Sequence, residues 1–365
     1  MTKKERGAVT ASRRDFAFEA MRRIQAEFAQ ARETALIRLD LPFSRDIQVY
    51  FKDETTHPTG SLKHRLARSL FVYAICNDWI DRDTIIFEAS SGSTAVSEAY
   101  FASLLDLQFH AVMPHSTSVE KIHAIEAYGG QIHLIDDDAS VSQAAARLAR
   151  DHGGHFMDQF TYAERVTDWR GRRNIAEEIV AQLAAESCPD PSWIVCGAGT
   201  GGTLATIGRH CRYVGMKACL CLADPEDSIF HRALSGATPI PSRQQSLIEG
   251  VGRREMTGSF VPSLVDRAIA IPDVASCAAT RVISDLIGKP CGGSTGTNFW
   301  AVAVLVSEMM ERGETGSVVS LICDSGERYR STYFNDAWVK SQRLDLAPYD
   351  AAMRRFMRTG RLQPP

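Results

Sequence analysis

Trp193-Ile194-Val195-Cys196-Gly197-Ala198-Gly199-Thr200-Gly201-Gly202-Thr203-Leu204 passes from a short apolar run through closely spaced glycines into helix-forming residues. Trp193 to Cys196 predicts a strand, Thr203 to Tyr213 a helix, and Lys217 to Ala223 a second strand. A strand, a glycine turn, a helix and a strand within about thirty residues make a βαβ unit with parallel strands.

The same alternation extends in both directions. Ile47 to Lys52 predicts a strand, and Ser61 to Asn77 a helix with Leu62, Leu66, Leu70 and Tyr73 on one face. Thr84 to Glu88 predicts a strand that enters a Ser/Gly turn, followed by a helix over Ser93 to Leu105. Strands over Gln108 to Met113 and Gln131 to Ile135 flank a helix over Val119 to Tyr128, which Gly129-Gly130 ends. A helix over Ser140 to Asp151 and a strand over Val318 to Cys323 complete the pattern. The class is α/β, doubly wound.

Asp224 to Asp273 carries several prolines and glycines and little periodicity, as functional loops or partner surfaces do. The basic tail from Ala347 is expected to be peripheral. Ala11 to Arg32 reads as a docking helix with Phe16, Met21, Ile24 and Phe28 towards the body; its acidic residues argue against a transit peptide.

Composition excludes several function classes. Lys+Arg 41 against Asp+Glu 44 leaves a net charge of −3 over 365 residues, which suits neither a polybasic nucleic-acid binder nor a membrane-surface protein. Apolar runs such as Leu70 to Cys76 fall short of the roughly 18 residues of a spanning helix. The 9 cysteines form no CxxC pair and the 10 histidines no HExxH, so no metal site is expected and a reducing cytoplasm is.

Four segments carry chemistry. Gly199-Thr200-Gly201-Gly202-Thr203 joins a strand to a helix, where backbone N–H groups and the helix dipole converge on a phosphate. No lysine follows, so this is not a Walker loop; a plain βα turn is the alternative. Lys63, in Pro58-Thr59-Gly60-Ser61-Leu62-Lys63, sits among leucines at a helix start, where desolvation turns an amine into a nucleophile; an ordinary exposed lysine is the alternative. A lysine with a phosphate cradle suggests pyridoxal phosphate. Ser90-Ser91-Gly92-Ser93-Thr94 offers hydroxyls and N–H donors to an amino-acid carboxylate, or is a serine-capped helix start. Ser325, in Asp324-Ser325-Gly326-Glu327, follows the last core strand, at the end where open α/β sheets bind ligands.

In this order the segments resemble the cysteine synthase-like family of fold type II pyridoxal-phosphate enzymes, over about residues 34 to 335. The opening Thr34-Ala35-Leu36-Ile37-Arg38-Leu39 is similar to the family's T-P-L-V-R-L, with Ala35 in place of proline. The resemblance makes Lys63 the Schiff-base lysine and Gly199, Thr200, Gly201, Gly202 and Thr203 the phosphate loop. It places Ser325 at the pyridine nitrogen and Ser93 near the cofactor's ring hydroxyl, where the family usually has asparagine. Ser90, Ser91, Gly92, Thr94 and Gln159 take the substrate-carboxylate positions. His57 and His64 stand where the family has asparagine and aspartate, and Thr161 to Gly171 departs from the synthase pattern. These departures look like the subgroup of bacterial L-cysteine desulfhydrases.

The implied fold is tryptophan synthase beta-like, two three-layer α/β/α domains with the cofactor in the cleft between them. The implied domains are a helical extension over 1–33, a smaller domain over 57–160, a larger one from 34–56 plus 161–340, and a tail over 341–365. The implied activity is a carbon-sulfur lyase converting L-cysteine through an aminoacrylate to hydrogen sulfide, pyruvate and ammonia. Cysteine synthase is the alternative, then serine/threonine dehydratase. A non-enzymatic sensor that keeps the fold is a different class of reading, and the presence of Lys63 opposes it. The implied partners are a small amino acid and a second copy in a homodimer.

Overall fold

The computed structural model describes residues 3–44, 46–136, 139–234 and 246–365, with side chains from residue 12 onward. From the N-terminus come α1 (Lys3–Gln30), β1 (Leu36–Leu39), β2 (Ile47–Asp53), α2 (Lys63–Cys76), β3 (Ile86–Ala89), α3 (Ser93–Leu104), β4 (Phe109–Pro114) and α4 (Val119–Glu126). Next are β5 (Gln131–Ile135), α5 (Val141–Asp151), β6 (His155–Phe156), α6 (Gln159–Val166), α7 (Ile175–Leu183), β7 (Pro191–Gly197), α8 (Gly202–Val214) and β8 (Cys219–Pro225). The last are α9 (Phe230–Ala233), β9 (Arg267–Ile271), α10 (Asp273–Ile287), α11 (Gly293–Glu311), β10 (Gly316–Ile322), α12 (Asp336–Ser341) and α13 (Ala347–Thr359). The chain divides into two compact units, Met1–Arg32 with His57–Thr167, and Glu33–Thr56 with Asp168–Pro365.

In the first unit the strand order is β5-β4-β3-β6, with every pairing parallel. A parallel sheet is covered on both faces, and the side chains divide accordingly. Ile86, Phe109, Ala111 and Met113 pack with Leu66 and Leu70 of α2 and Ala95 and Ala99 of α3. Phe87, Ala89 and Val112 face Ala144, Ala145 and Ala149 of α5. Helix α1 joins the first of these cores through Phe16, Ala20 and Ile24, spaced four apart on one face, so it docks as its sequence implies. Arg23 on the same helix donates to the Leu104 carbonyl at 3.1 Å and pairs with Asp106 at 2.5 Å.

The second unit's sheet has the order β1-β2-β10-β7-β8-β9, parallel except for the antiparallel edge pair β1–β2. Its core packs Val49, Phe51, Val195, Val318 and Ile322 against Phe299, Val302 and Val306 of α11. Two findings differ from the sequence reading. Met353 and Phe356 of α13 are buried in this core, so the segment from Ala347 is structural rather than peripheral. The region Asp224 to Asp273 contains strand β9 at the sheet edge, while residues 235–245 of it lie outside the described residues.

The opening T-A-L-I-R-L segment has a physical role in this unit. Lys52, fully buried on β2, pairs with Glu178 at 2.9 Å and donates to the Thr34 carbonyl at 2.6 Å and to Gln182 at 2.9 Å. The Thr34 hydroxyl donates to Glu54 at 2.7 Å. Removing one member of a buried ion pair strands the other charge, which costs about 3–5 kcal/mol. Glu178→Ala is therefore expected to lose about that much stability, read as a lowered midpoint in urea unfolding followed by circular dichroism.

Candidate active site

In the first unit, Gly60 (φ +68°) closes a bend by donating its N–H to the His57 carbonyl at 2.8 Å. That left-handed φ admits glycine at little cost, and it delivers the chain into α2 with Lys63 as first residue. Lys63 is half-buried, its N–H donates to Ser61 Oγ at 3.2 Å, and Leu62 and Leu66 beside it are buried.

The Ser90–Thr94 segment runs from the end of β3 into α3. Gly92 is the helix cap, with no side chain capping it among the described residues, so the serine-capped alternative is not what forms. Instead Ser90 Oγ accepts from the Gly92 N–H at 3.2 Å. A Cβ added at Gly92 would meet nothing within 4 Å, so the glycine opens onto space rather than onto protein. Thr94 is buried, and its hydroxyl donates to Gln159 Oε1 at 2.7 Å. The fold thus joins Thr94 and Gln159, 65 residues apart in the chain. Asp158, just before, has φ +49° and accepts from the Thr161 N–H at 3.2 Å, capping α6.

Beneath these two segments lies a residue that the sequence reading did not assign. Glu88 Oε1 accepts from the Ala89 N–H at 2.7 Å and Oε2 from the Gln159 N–H at 3.1 Å, so one carboxylate fastens both. Glu98 of α3 is also fully buried, and its carboxyl interacts with that of Glu88. Burial and the neighbouring carboxyl hold Glu98 well above the ordinary carboxylate range. Desolvation pushes Glu88 up to about 7 against the two N–H donors that favour its charged form.

In the second unit, Gly199–Thr203 leaves β7 and enters α8 through Gly201 (φ +98°). A Cβ at Gly199 would lie 2.3 Å from the Gly250 carbonyl oxygen, and one at Gly201 2.5 Å from that of Ser259. The segment Glu249-Gly250-Val251-Gly252 is the backing of this loop. The Gly252 N–H donates to Ala198 O at 2.8 Å, Arg253 Nε to Gly199 O at 3.0 Å and the Thr257 hydroxyl to Thr200 O at 2.8 Å. Three successive carbonyls are held from behind, which turns the N–H groups of Gly199, Thr200 and Gly201 to the other side, at the positive end of α8, while the Gly202 N–H donates to Thr200 Oγ at 3.2 Å. Burial lowers Arg253 to about 10.

Ser325 follows β10, the neighbour of β7, so both loops leave the carboxyl ends of adjacent parallel strands. Ser325 Oγ accepts from the Glu327 N–H at 3.4 Å, which leaves its own hydrogen to donate. The adjacent Asp324 is turned to the interior, where the Tyr329 hydroxyl donates to it at 2.7 Å. The Gly292–Gly296 turn fastens this corner: Gly292 N–H donates to Asp324 O at 3.0 Å and the Cys323 N–H to Thr295 Oγ at 3.2 Å. Asn298 ties the two strands together, accepting from Gly197 N–H at 2.8 Å and donating to Leu321 O at 3.2 Å.

Residues 28–324 match the family model described as pyridoxal-phosphate dependent enzyme. The chain belongs to that family. It is 52% identical to the L-cysteine desulfhydrase Cds1 of Mycobacterium tuberculosis, over 97% of this chain and 98% of that protein. It is 27% identical to cysteine synthase 2 of Schizosaccharomyces pombe, over 85% of this chain and 84% of that one. Among solved structures it is similar to O-ureido-L-serine synthase, with a TM-score of 0.74, 25% identity, and coverage of 86% of this chain and 98% of that one. The family's cofactor is pyridoxal phosphate, and the residues fit it: a loop with its carbonyls held from behind, an uncapped α3 opening onto space at Gly92, and a serine O–H with its acid neighbour turned away.

Proposed function

We propose that this chain is an L-cysteine desulfhydrase, eliminating hydrogen sulfide from L-cysteine, with hydrolysis of the remainder by water giving pyruvate and ammonia. The observation that carries the reading is the 52% identity to a desulfhydrase across almost the whole of both chains. Lys63 would hold the cofactor's carbonyl carbon, Gly199, Thr200, Gly201, Gly202 and Thr203 its phosphate, Ser93 its ring hydroxyl and Ser325 its ring nitrogen. Once bound, the cofactor supplies an electron sink for the charge left at the substrate Cα.

The chain's own residues supply the rest. Ser90, Ser91, Gly92 and Thr94, with the first-turn N–H groups of α3, bind the substrate carboxylate at the positive end of that helix. Thr94 holds Gln159 Oε1, which leaves the Gln159 amide hydrogens as further donors. Lys63 Nζ takes the Cα proton, and the sulfur leaves Cβ with its bonding electron pair as hydrosulfide. Ser325, a neutral donor, stabilises less negative charge on the ring than a carboxylate partner would induce, which favours early loss of the Cβ group.

We infer a cytoplasmic homodimer acting on a free amino acid, with neither nucleic acid nor membrane as partner. No cysteine among the described residues is in a disulfide, as a reducing compartment requires. No helix among them is long and apolar enough to cross a membrane. The test is incubation of the holoenzyme with L-cysteine and no second substrate. Equimolar sulfide, pyruvate and ammonia are expected. Turnover only with O-acetylserine plus sulfide, yielding cysteine, would overturn the reading in favour of a synthase.

A further inference from the structure

Helix α1 has no role in the chemistry described above, yet it reaches the residue next to Lys63. Glu27 Oε1 lies 3.0 Å from His64 Nε2, with side chains only 8% and 1% exposed. His64 Nδ1 is 3.3 Å from the Thr59 hydroxyl, which is 2.9 Å from Ser97 Oγ. Ser97 in turn donates to the Ser93 carbonyl at 2.8 Å. One chain of contacts therefore runs from α1 through the lysine bend to the first turn of α3, where the substrate carboxylate is read. His57 stacks on His64 at 5.1 Å, and the Arg68 guanidinium lies 3.9 Å over the Phe28 ring of α1.

Counting hydrogens makes the arrangement specific. Both ends of the chain, the Glu27 carboxylate and the Ser93 carbonyl, only accept. The three links between them, a neutral imidazole and two hydroxyls, each hold one hydrogen, so three of the four contacts can be bonds. The open contact falls at the longest, His64 to Thr59 at 3.3 Å. The Nε2 hydrogen is thereby committed to Glu27, which fixes the tautomer and leaves the Nδ1 lone pair towards Thr59. The titratable and charged groups facing His64 are Glu27, His57, Arg68 and Tyr100, and the Phe101 ring packs against it at 4.8 Å. Desolvation foremost, with His57 and Arg68, lowers His64, while Glu27 opposes them, so the neutral form is the one counted.

We propose that Glu27 and His64 are positioning residues through which α1 holds the lysine bend and the carboxylate-reading turn of α3 in register. The proposal deepens the functional reading and rests on its assignment of Lys63 and Ser90–Thr94. It gives α1 a part in substrate binding.

The test is hydrogen exchange by mass spectrometry on wild-type, Glu27→Ala, Glu27→Gln and His64→Leu holoenzymes. In Glu27→Ala and His64→Leu, amides of residues 57–66 and 92–98 are expected to exchange at least about fivefold faster, and those of 202–214 as in wild type. KM for L-cysteine rises about five- to tenfold with kcat nearly unchanged, because carboxylate placement is loosened while Lys63 remains. The double variant exchanges no faster than the worse single one, and Glu27→Gln, which keeps an acceptor for Nε2–H, restores most of the protection. Unchanged exchange in 57–66 and 92–98, uniform acceleration that includes 202–214, or multiplicative effects in the double variant would each overturn the proposal. Glu27→Ala keeps a strong helix former on α1 and carries the test if His64→Leu does not fold. The exchange readout needs no substrate, so a wild type inert towards L-cysteine refutes the functional reading separately.

Discussion

Lys63→Ala is expected to abolish sulfide release from L-cysteine, by about a thousandfold or more, and to remove the visible absorption of cofactor held through its amine. Two losses compound in this variant. On the proposed reading the amine captures the cofactor and afterwards takes the Cα proton; general-base catalysis alone is worth about 10²–10⁴ in rate. The protein should survive the change, since Lys63 is half-buried at the first position of α2 and alanine is a better helix former. Lys63→Arg is the control: it keeps a cation there but, with a guanidinium that stays protonated, neither captures an aldehyde nor accepts a proton. Absorbance and sulfide assays on dialysed protein decide the matter. Activity within tenfold of wild type in Lys63→Ala would mean that another group does the chemistry.

The features legible in the sequence share a physical origin. Strands β2 to β4, β7 and β8 end in glycine, proline or hydroxyl-rich turns, so both their apolar runs and their boundaries show in the letters. Helix α11 has no such signature, because Gly293–Glu311 is buried around most of its circumference and shows no polar stripe at a period of 3.6. Strand β9, Arg267–Ile271, is a short edge strand that alternates weakly inside a region rich in proline and glycine. The site divides in the same way. The roles proposed for Lys63, Ser90–Thr94, Gly199–Thr203 and Ser325 rest on local backbone or their own chemistry, and that is visible in a line of sequence. Glu88, Asn298 and Thr257 act by holding backbone groups 57 to 101 residues away, and no local pattern marks them. The one available signal was a charge in the apolar strand Ile86-Phe87-Glu88-Ala89, and another in the apolar helix that follows.

Those two charges carry the second large effect. Glu88 and Glu98 face each other fully buried, and two such carboxylates cannot both ionise. Among the described residues neither oxygen of an ionised Glu98 has a donor, whereas Glu88 receives two N–H groups, which favours the shared proton on Glu98. The variants then separate. Glu98→Gln keeps a donor without a charge, and kcat/KM at neutral pH is expected to stay within about threefold of wild type. Glu88→Gln turns an amide NH₂ towards one of two N–H groups and leaves a buried donor unmet, a cost of about 2–3 kcal/mol at the junction of Ala89 and Gln159. If substrate binding bears that cost, kcat/KM falls about thirty- to a hundredfold, mostly through KM. The pH dependence has a definite sign. Both carboxyls are raised in the folded state, so it binds protons more tightly than the unfolded chain, and this contribution is complete below the ordinary carboxylate range. It is lost as pH climbs through about 7, where Glu88 titrates. Urea midpoints should therefore decline between pH 5 and 9 in wild type and decline less in Glu98→Gln, which keeps the contribution of Glu88 and loses that of Glu98. Equal damage from the two substitutions, or the same pH slope in Glu98→Gln as in wild type, would place the proton elsewhere.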